Sequence, residues 1–323
     1  GVLRGNKPVT ILLGGHALGV PGLNAAARIA AASGCRLMTE TFAARIERGA
    51  GIPSPARLPY FPEQALEALA GSHTIVLAGA KLPVAFFGYP GLPSRLVPEG
   101  CTVEMLAKPE EDVTGALEDL AGALGAPKTI APPKAERPSL PTGGKLNPAN
   151  LGAALAALQP DNAIIVDESA TSGGPYGAMA AGARPHTCLA LTGGAIGQGL
   201  PTAVGAAVAC PERRVISFQA DGSGMYTVQA LWTEAREALN VTTLLCSNRA
   251  YRILQMEAAR AGNTELGPNA RLLTNLTPPE IGWAEVARGL GVPAVRVETA
   301  DELVKHLERA LQTAGPNFIE VVL

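Results

Sequence analysis

An apolar run, Val215-Ile216-Ser217-Phe218, stops abruptly at Asp221-Gly222-Ser223. A helical segment follows at once, and a second apolar run, Val241 to Cys246, leads into Ser247-Asn248-Arg249-Ala250-Tyr251. Few folds accommodate that order. Two strand-length apolar runs separated by a helix predict parallel strands of one sheet, joined by a right-handed crossover. The turn at Asp221-Gly222-Ser223 then lies beyond the carboxyl end of a buried strand and at a helix N-terminus, where backbone N–H groups favour an anion. Asp221 is poor in a strand core but suits Mg2+, which takes one or two carboxylates plus phosphate oxygens. Asn248 brings a neutral oxygen ligand of the same hard kind. The pattern alone is also compatible with an ordinary strand–turn–helix, with Asp221 as a helix cap and Asn248 in a turn.

The same alternation runs through the whole chain. In residues 1–125 it predicts strands at Val9–Leu13, Arg36–Thr39, Thr74–Leu77 and Thr102–Leu106, with helices at Leu23–Ala32, Glu63–Ala70 and Val113–Leu124. The first turn, Gly14-Gly15-His16-Ala17-Leu18-Gly19, invites a dinucleotide reading, but His16 holds the place of the middle glycine of G-x-G-x-x-G. A structural turn is the stronger reading. Residues 126–144 carry Pro127, Pro132, Pro133, Pro138 and Pro141 and read as a semi-extended linker.

Residues 145–323 repeat the pattern. A helix capped by Asn147 is expected through Leu158, then a strand Ala163–Val166 ending in Asp167-Glu168-Ser169-Ala170-Thr171-Ser172. Ser169 and Thr171 are candidate phosphate donors there, and an ordinary capping loop is equally compatible. Gly193-Gly194-Ala195-Ile196-Gly197-Gln198-Gly199 would let backbone approach a planar group. There is no G-x-x-x-x-G-K-[ST], so a P-loop is not supported. A helix is expected from Arg252 to Glu257, and the polar stretch 261–275 is expected to be a mobile lid. The chain closes with helices Trp283–Leu290 and Ala300–Ala314 and strands Ala294–Val297 and Asn317–Val322. The fold class is α/β, with two doubly wound parallel-sheet domains: a Rossmann-like one over 1–125, and 145–323.

Charge and cysteine usage narrow the function. A formal charge of −2 over 323 residues leaves no footprint for nucleic acid or an anionic membrane. No apolar run approaches the roughly 18 residues of a membrane span. The five cysteines are scattered, with no C-x-x-C, and read as small buried hydrophobes of a reducing, cytoplasmic compartment. His16, His73, His186 and His306 show no pairing that suggests catalysis, and surface or loop positions are expected for them.

The local text Ala220-Asp221-Gly222-Ser223-Gly224-Met225-Tyr226-Thr227-Val228-Gln229-Ala230-Leu231-Trp232, with Asn248 at its distance, resembles the thiamin-diphosphate motif of benzoylformate decarboxylase and the acetolactate synthase large subunit. The resemblance extends more weakly over essentially the whole chain. It implies a thiamin-diphosphate- and Mg2+-dependent enzyme that decarboxylates or ligates 2-oxo acids, with residues 145–323 as the diphosphate-binding domain. Asp221, Asn248 and the main-chain oxygen of Ala250 would ligate Mg2+. Gly222 and Ser223, with Ser169 and Thr171, would hold phosphate oxygens. Ile196 aligns with the residue wedged between the cofactor's rings, and Gly194 with the carbonyl that accepts from the aminopyrimidine. Met225, Tyr251, Ile253 and Leu254 would line the ring and substrate side. Taken singly, Ile196, Met225, Ile253 and Leu254 read as core residues.

Departures from the family qualify this. Ala220 and Ser247 replace the first member of the usual Gly-Asp-Gly and Asn-Asn pairs, and both changes spare the ligands. Arg252 stands where the family often has Gly. Glu257 falls where plant-type acetolactate synthases carry a Trp, which argues against acetolactate synthesis, and a FAD site in the first domain is not supported. Family members also have an N-terminal pyrimidine-binding domain that supplies an activating Glu. No stretch here resembles it, so no catalytic residue is expected in this chain, and that domain would come from the same or a partner chain in a homodimer or homotetramer. The alternatives are a non-catalytic cofactor-binding subunit or degenerate paralogue and, less favoured, a nicotinamide dehydrogenase.

Overall fold

The structure is a computed structural model that describes residues 1–131 and 134–323. Pro132 and Pro133 of the expected linker lie outside the described residues. The chain divides into two compact units: Gly1–Glu47 with Gly51–Lys134, and Arg48–Ala50 with Ala135–Leu323. The return of residues 48–50 to the second unit was not foreseen; Ala50 N donates to Ala183 O at 2.8 Å and Arg48 Nη2 to Gly177 O at 2.7 Å.

In the first unit, β1 (Val9–Leu13), α1 (Val20–Ser33), β2 (Arg36–Thr39), β3 (Arg45–Arg48, its last residue in the second unit), β4 (Ala56–Arg57), α2 (Pro62–Leu69), β5 (Thr74–Ala78), β6 (Thr102–Ala107) and α3 (Val113–Ala123) follow in order. The sheet runs β4-β2-β1-β5-β6, all parallel. Its central strands are fully buried, because alternate residues meet helices on opposite faces. Ile11, Leu13 and Val76 pack with α1 and α3, while Leu12, Ile75 and Leu77 pack with α2. The connections diverge between β1 and β5, where a doubly wound sheet takes its ligand. Here the two loops touch. A Cβ on Gly14 would lie 2.7 Å from the oxygen of Gly79, and one on Gly79 2.5 Å from that of Gly14. Gly15 N, which would face a pyrophosphate, points instead to Glu40 Oε1 at 3.4 Å.

The second unit comprises α4 (Pro148–Leu158), β7 (Ala163–Glu168), α5 (Gly174–Met179), β8 (His186–Ala190), α6 (Gly199–Ala209), β9 (Val215–Ala220), α7 (Asp221–Gly224), α8 (Ala230–Arg236) and β10 (Val241–Ser247). After these come α9 (Arg252–Arg260), α10 (Pro268–Thr274), α11 (Trp283–Gly289), β11 (Ala294–Val297), α12 (Ala300–Gln312) and β12 (Asn317–Val322). Its own strands run β11-β12-β10-β9-β7-β8, all parallel. Ile165, Ile216, Phe218, Leu244 and Ile319 pack with α4 and α12. Their alternates Ile164, Val166, Val215 and Leu245 meet α6, α8 and α11. Full burial of each such side chain contributes about 1.5–3 kcal/mol. Asn147 caps α4 as expected, in a reciprocal pair with Asn150.

One expectation is corrected. His186 is not on the surface: it is a buried residue of β8, its ring 3.1 Å from the Tyr176 hydroxyl and 2.8 Å from the Arg184 carbonyl. Within the stretch 261–275, Pro268 starts the seven-residue helix α10. Among the described residues, no helix is long and apolar enough to cross a membrane.

Glu234 of α8 is anomalous in this core. It is fully buried and neither carboxyl oxygen has a hydrogen-bond partner. Burial pushes its carboxyl up to about 8. Among the described residues no charge offsets this burial: α6 has no titratable residue, Glu285 and Arg288 of α11 are exposed and bound to each other at 2.6 Å, and Arg236 of α8 pairs with Glu237 at 3.1 Å. The folded chain therefore holds one more proton than the unfolded chain between the ordinary Glu value of 4.5 and about 8. The stability due to this neutral carboxyl is complete below the lower value and is lost as pH rises to the upper one, by up to about tenfold in the unfolding equilibrium per pH unit. Denaturant unfolding from about pH 5 to 8 is expected to show that slope in the native chain and to lose it in Glu234→Gln. Equal slopes in the two proteins would refute the assignment.

Candidate functional site

The second sheet has its own switch point. From β7 the chain steps outward to β8, then returns to place β9 on the other side of β7. The crevice beyond the carboxyl ends of β7 and β9 is where such sheets bind ligands. Four loops converge there from neighbouring strands: 191–198 after β8, 169–173 after β7, 221–224 after β9 and 248–251 after β10. The structure therefore brings all the singled-out residues to one sheet edge, with Ile253 and Leu254 on the α9 that leaves it.

Asp221 opens the one-turn helix α7 and is 2 % exposed. Its Oδ1 accepts from Gly222 N at 2.8 Å and its Oδ2 from Arg249 N at 2.6 Å. Burial still outweighs these bonds and pushes the carboxyl up to about 6. Arg249 holds the left-handed φ of +59°, an uncommon conformation for a non-glycine residue, and this is the residue whose amide meets Asp221. Asn248 Oδ1 accepts from Ala250 N at 3.0 Å. An isolated bridge pairs Ala250 with Asn275 through Tyr251 N to Thr274 O and Leu276 N to Arg249 O, both 2.8 Å. The carbonyl of Ala250 takes no part in those two bonds.

These donors fit a hard cation. A buried carboxyl with no cationic partner, a side-chain amide oxygen and a main-chain carbonyl are the oxygen set of a Mg2+ that keeps waters and phosphate oxygens for its other positions. Among the described residues, no cluster of three or more His, Cys, Asp or Glu could hold a metal, so a zinc-type centre is not built here.

On the other side of the crevice, Gly193, Gly194 and Gly197 take φ of +63°, +67° and +94°, a path that glycine follows without strain. Its end is fixed by Glu168, buried at the end of β7. Glu168 Oε1 accepts from Gly197 N at 2.7 Å, and Oε2 from Gly199 N and Gln219 Nε2, each at 2.8 Å. Neither Glu168 nor Gln219 was singled out from the sequence. The available signal was the polar residue closing each of two apolar strands, Glu168 after Val166 and Gln219 after Phe218.

Not every expected donor points into the crevice. The Ser169 hydroxyl donates to Asp167 Oδ1 at 2.5 Å, and that of Ser223 donates to Ala220 O at 3.2 Å while accepting from Gln219 Nε2 at 2.7 Å. Both serines are buried with their hydroxyls bonded within the protein, and Thr171 is half-buried. The core alternative for the apolar residues is overturned. Ile196, Met225 and Leu254 are 40 %, 46 % and 52 % exposed, and Tyr251 and Ile253 are half-buried.

Gly222 is required by its neighbour, since a Cβ there would lie 2.5 Å from Tyr251 Cε1. Gly222→Ala is expected to lower stability by about 1–3 kcal/mol in urea unfolding. Combining it with Tyr251→Ala should cost less than the two single changes summed, because the ring it strikes is gone. Strict additivity would show that the contact is not the cause.

Residues 174–321 match the family described as thiamine pyrophosphate enzyme, C-terminal TPP binding domain. The chain is 48 % identical over its whole length to a Mycobacterium tuberculosis protein provisionally named an acetolactate synthase large subunit, IlvX, of which it covers 62 %. It is 32 % identical, over 65 % of its length, to benzoylformate decarboxylase of Pseudomonas aeruginosa, of which it covers 37 %. Among solved structures, the thiamine diphosphate-dependent 4-hydroxybenzoylformate decarboxylase of Rhodococcus jostii superposes on 99 % of this chain with a TM-score of 0.80 at 25 % identity, and the chain covers 62 % of that protein. The matched segment holds α7, Asp221, Asn248 and the glycine loop, so the crevice lies largely within the residues that match the C-terminal TPP-binding domain of thiamine pyrophosphate enzymes.

Proposed function

We propose that the full-length protein is a thiamin-diphosphate- and Mg2+-dependent enzyme acting on 2-oxo acids. The observation that carries this is Asp221, a buried carboxyl short of charge compensation at the switch point, which accepts from Arg249 N in the loop that also carries Asn248 and Ala250. Asp221, Asn248 and the Ala250 carbonyl would hold Mg2+. Gly222 gives close backbone approach, and the Ser223 amide in the first turn of α7 would meet a phosphate oxygen, with Thr171 on the facing loop. Ser169 and the Ser223 hydroxyl support these loops from inside. The chemistry that thiamin diphosphate supplies when bound is a carbanion nucleophile and a sink for the electrons released next to a carbonyl. Around it, Ile196 and Gly194 would position the rings, while Met225, Tyr251, Ile253 and Leu254 give the substrate side an apolar wall that keeps water out.

The chain spans 62 % of the length of the Mycobacterium tuberculosis relative and of the Rhodococcus jostii structure. The rest of the site is proposed to come from a pyrimidine-binding domain, of the same or a partner chain, within a homodimer or homotetramer. A cytoplasmic location accords with cysteines that are scattered along the chain with no C-x-x-C. Decarboxylation is favoured over acetolactate synthesis, since Glu257 of α9 stands where plant-type acetolactate synthases carry a Trp.

Calorimetric titration of the full-length protein with thiamin diphosphate is expected to show Mg2+-dependent binding that Asp221→Ala weakens by more than about tenfold. Undiminished Mg2+-dependent binding by the variant would remove Asp221 from the metal site. Binding of NAD in place of thiamin diphosphate would favour a dehydrogenase.

A further inference from the structure

Glu168 stands between the two halves of the crevice without being a ligand to anything in it. It is the last residue of β7 and only 3 % exposed. Its three donors come from three different elements: Gly197 N in the glycine loop, Gly199 N at the start of α6, and Gln219 Nε2 near the end of β9. Gln219 Nε2 also lies 2.7 Å from Ser223 Oγ, one residue beyond Gly222. A continuous line of hydrogen bonds thus runs from the glycine loop through Glu168 and Gln219 to the Asp221–Gly224 turn. We propose that Glu168 is a positioning residue: it sets the glycine loop, with Ile196, at a fixed distance from that turn, so that the ring-facing and diphosphate-facing parts of the site are held in one geometry. This rests on the thiamin-diphosphate reading above.

Three features support a dedicated role. First, the demand is for two acceptor oxygens. A carboxylate can accept at both ends, whereas a Gln at 168 would turn an NH2 towards Gly197 N or towards Gly199 N and Gln219. Second, Gln219 keeps its NH2 between Glu168 and Ser223 although this leaves its Oε1 buried without a partner. The opposite orientation would set that oxygen against a carboxylate oxygen, so the bridge decides the rotamer. Third, the packing admits no substitute: a Cβ on Gly199 would lie 2.3 Å from Gln219 Oε1 and 2.7 Å from Glu168 Oε2. The peptide that follows Ile196 is held from both ends, its N–H by Glu168 and the next carbonyl by Thr227 Oγ1 at 2.7 Å. Ile196 can therefore stay exposed and yet fixed.

The test compares two ligands of the full-length protein, each with Mg2+: thiamin diphosphate, and inorganic pyrophosphate, which lacks the rings. Glu168→Gln is expected to weaken thiamin diphosphate by about tenfold or more while pyrophosphate affinity stays within about twofold. Ile196→Ala, a change at an exposed residue, should give the same ring-specific loss without altering the melting temperature. The double variant should lose little more than either single one, because both act through one loop. Equal losses for both ligands in Glu168→Gln would mark a merely structural residue and overturn the proposal. So would unchanged affinity for both, or strictly additive effects in the double variant. Failure of the native protein to bind either ligand would instead reject the thiamin-diphosphate reading, and this proposal with it.

Discussion

The carboxyl of Asp221 is the constraint on which the rest of the site depends. It sits at the end of a buried strand, where water cannot reach it, and it accepts two backbone hydrogen bonds that do not fully offset the cost of burial. Those bonds still have structural consequences. To reach Asp221 Oδ2, Arg249 must adopt a left-handed backbone, and that bend aims the following Ala250 and Tyr251 back over α7. Tyr251 then presses on residue 222 closely enough that only glycine fits. One carboxylate thus dictates a strained loop, a glycine and the placement of a tyrosine. What remains is a buried carboxyl whose two hydrogen bonds do not offset the cost of its burial.

The two sheets share a logic but not an outcome. Each is parallel, each is covered on both faces, and each reverses its winding between two central strands. Such a reversal opens a crevice only if the loops above it diverge. In the first unit the loops after β1 and β5 meet through Gly14 and Gly79, and the Glu40 carboxylate faces the amide that a phosphate would need. In the second unit the ends of β7 and β9 carry the register partners Glu168 and Gln219, whose side chains hydrogen-bond to each other and to the loops after β8 and β9. Sheet topology allows a site in both places. Loop chemistry builds it in one.

Most of the fold could be read from the chain because buried parallel strands are continuous apolar runs: β1, β2, β9, β10, β11 and β12 lie within two residues of where those runs stand. β8 was missed for a physical reason. His186 and Thr187 break its apolar character, and they are tolerated because Tyr176, Arg184 and Arg213 satisfy them from elsewhere. The short β3 and β4 left no run to read. In the site, Asp221, Gly222 and Asn248 were visible because ligand chemistry and turn chemistry select the same residue types. Glu168 and Gln219 were not, since the three donors that meet Glu168 lie 29 to 51 positions away and pairing at that range leaves no local pattern. The serines at 169 and 223 show the converse. Hydroxyls near a strand end look like ligands in sequence, and only the fold reveals that here they donate to the Asp167 carboxylate and the Ala220 carbonyl.

The exposed apolar residues complete this account. Ile196, Met225 and Leu254 belong to loops and short helices that could in principle fold inward and bury them, each gaining about 1.5–3 kcal/mol. They stay exposed because their backbones are committed elsewhere. Glu168 and Thr227 hold the peptide after Ile196, the hydrogen bond from Met225 N to Asp221 O closes α7, and the Ala250–Asn275 bridge anchors the start of α9. Polar contacts that contribute only about 1 kcal/mol each thus keep apolar side chains out of the core. That is the reverse of the usual division of labour in a folded chain. It makes sense where exposed apolar groups are needed by something that arrives after folding.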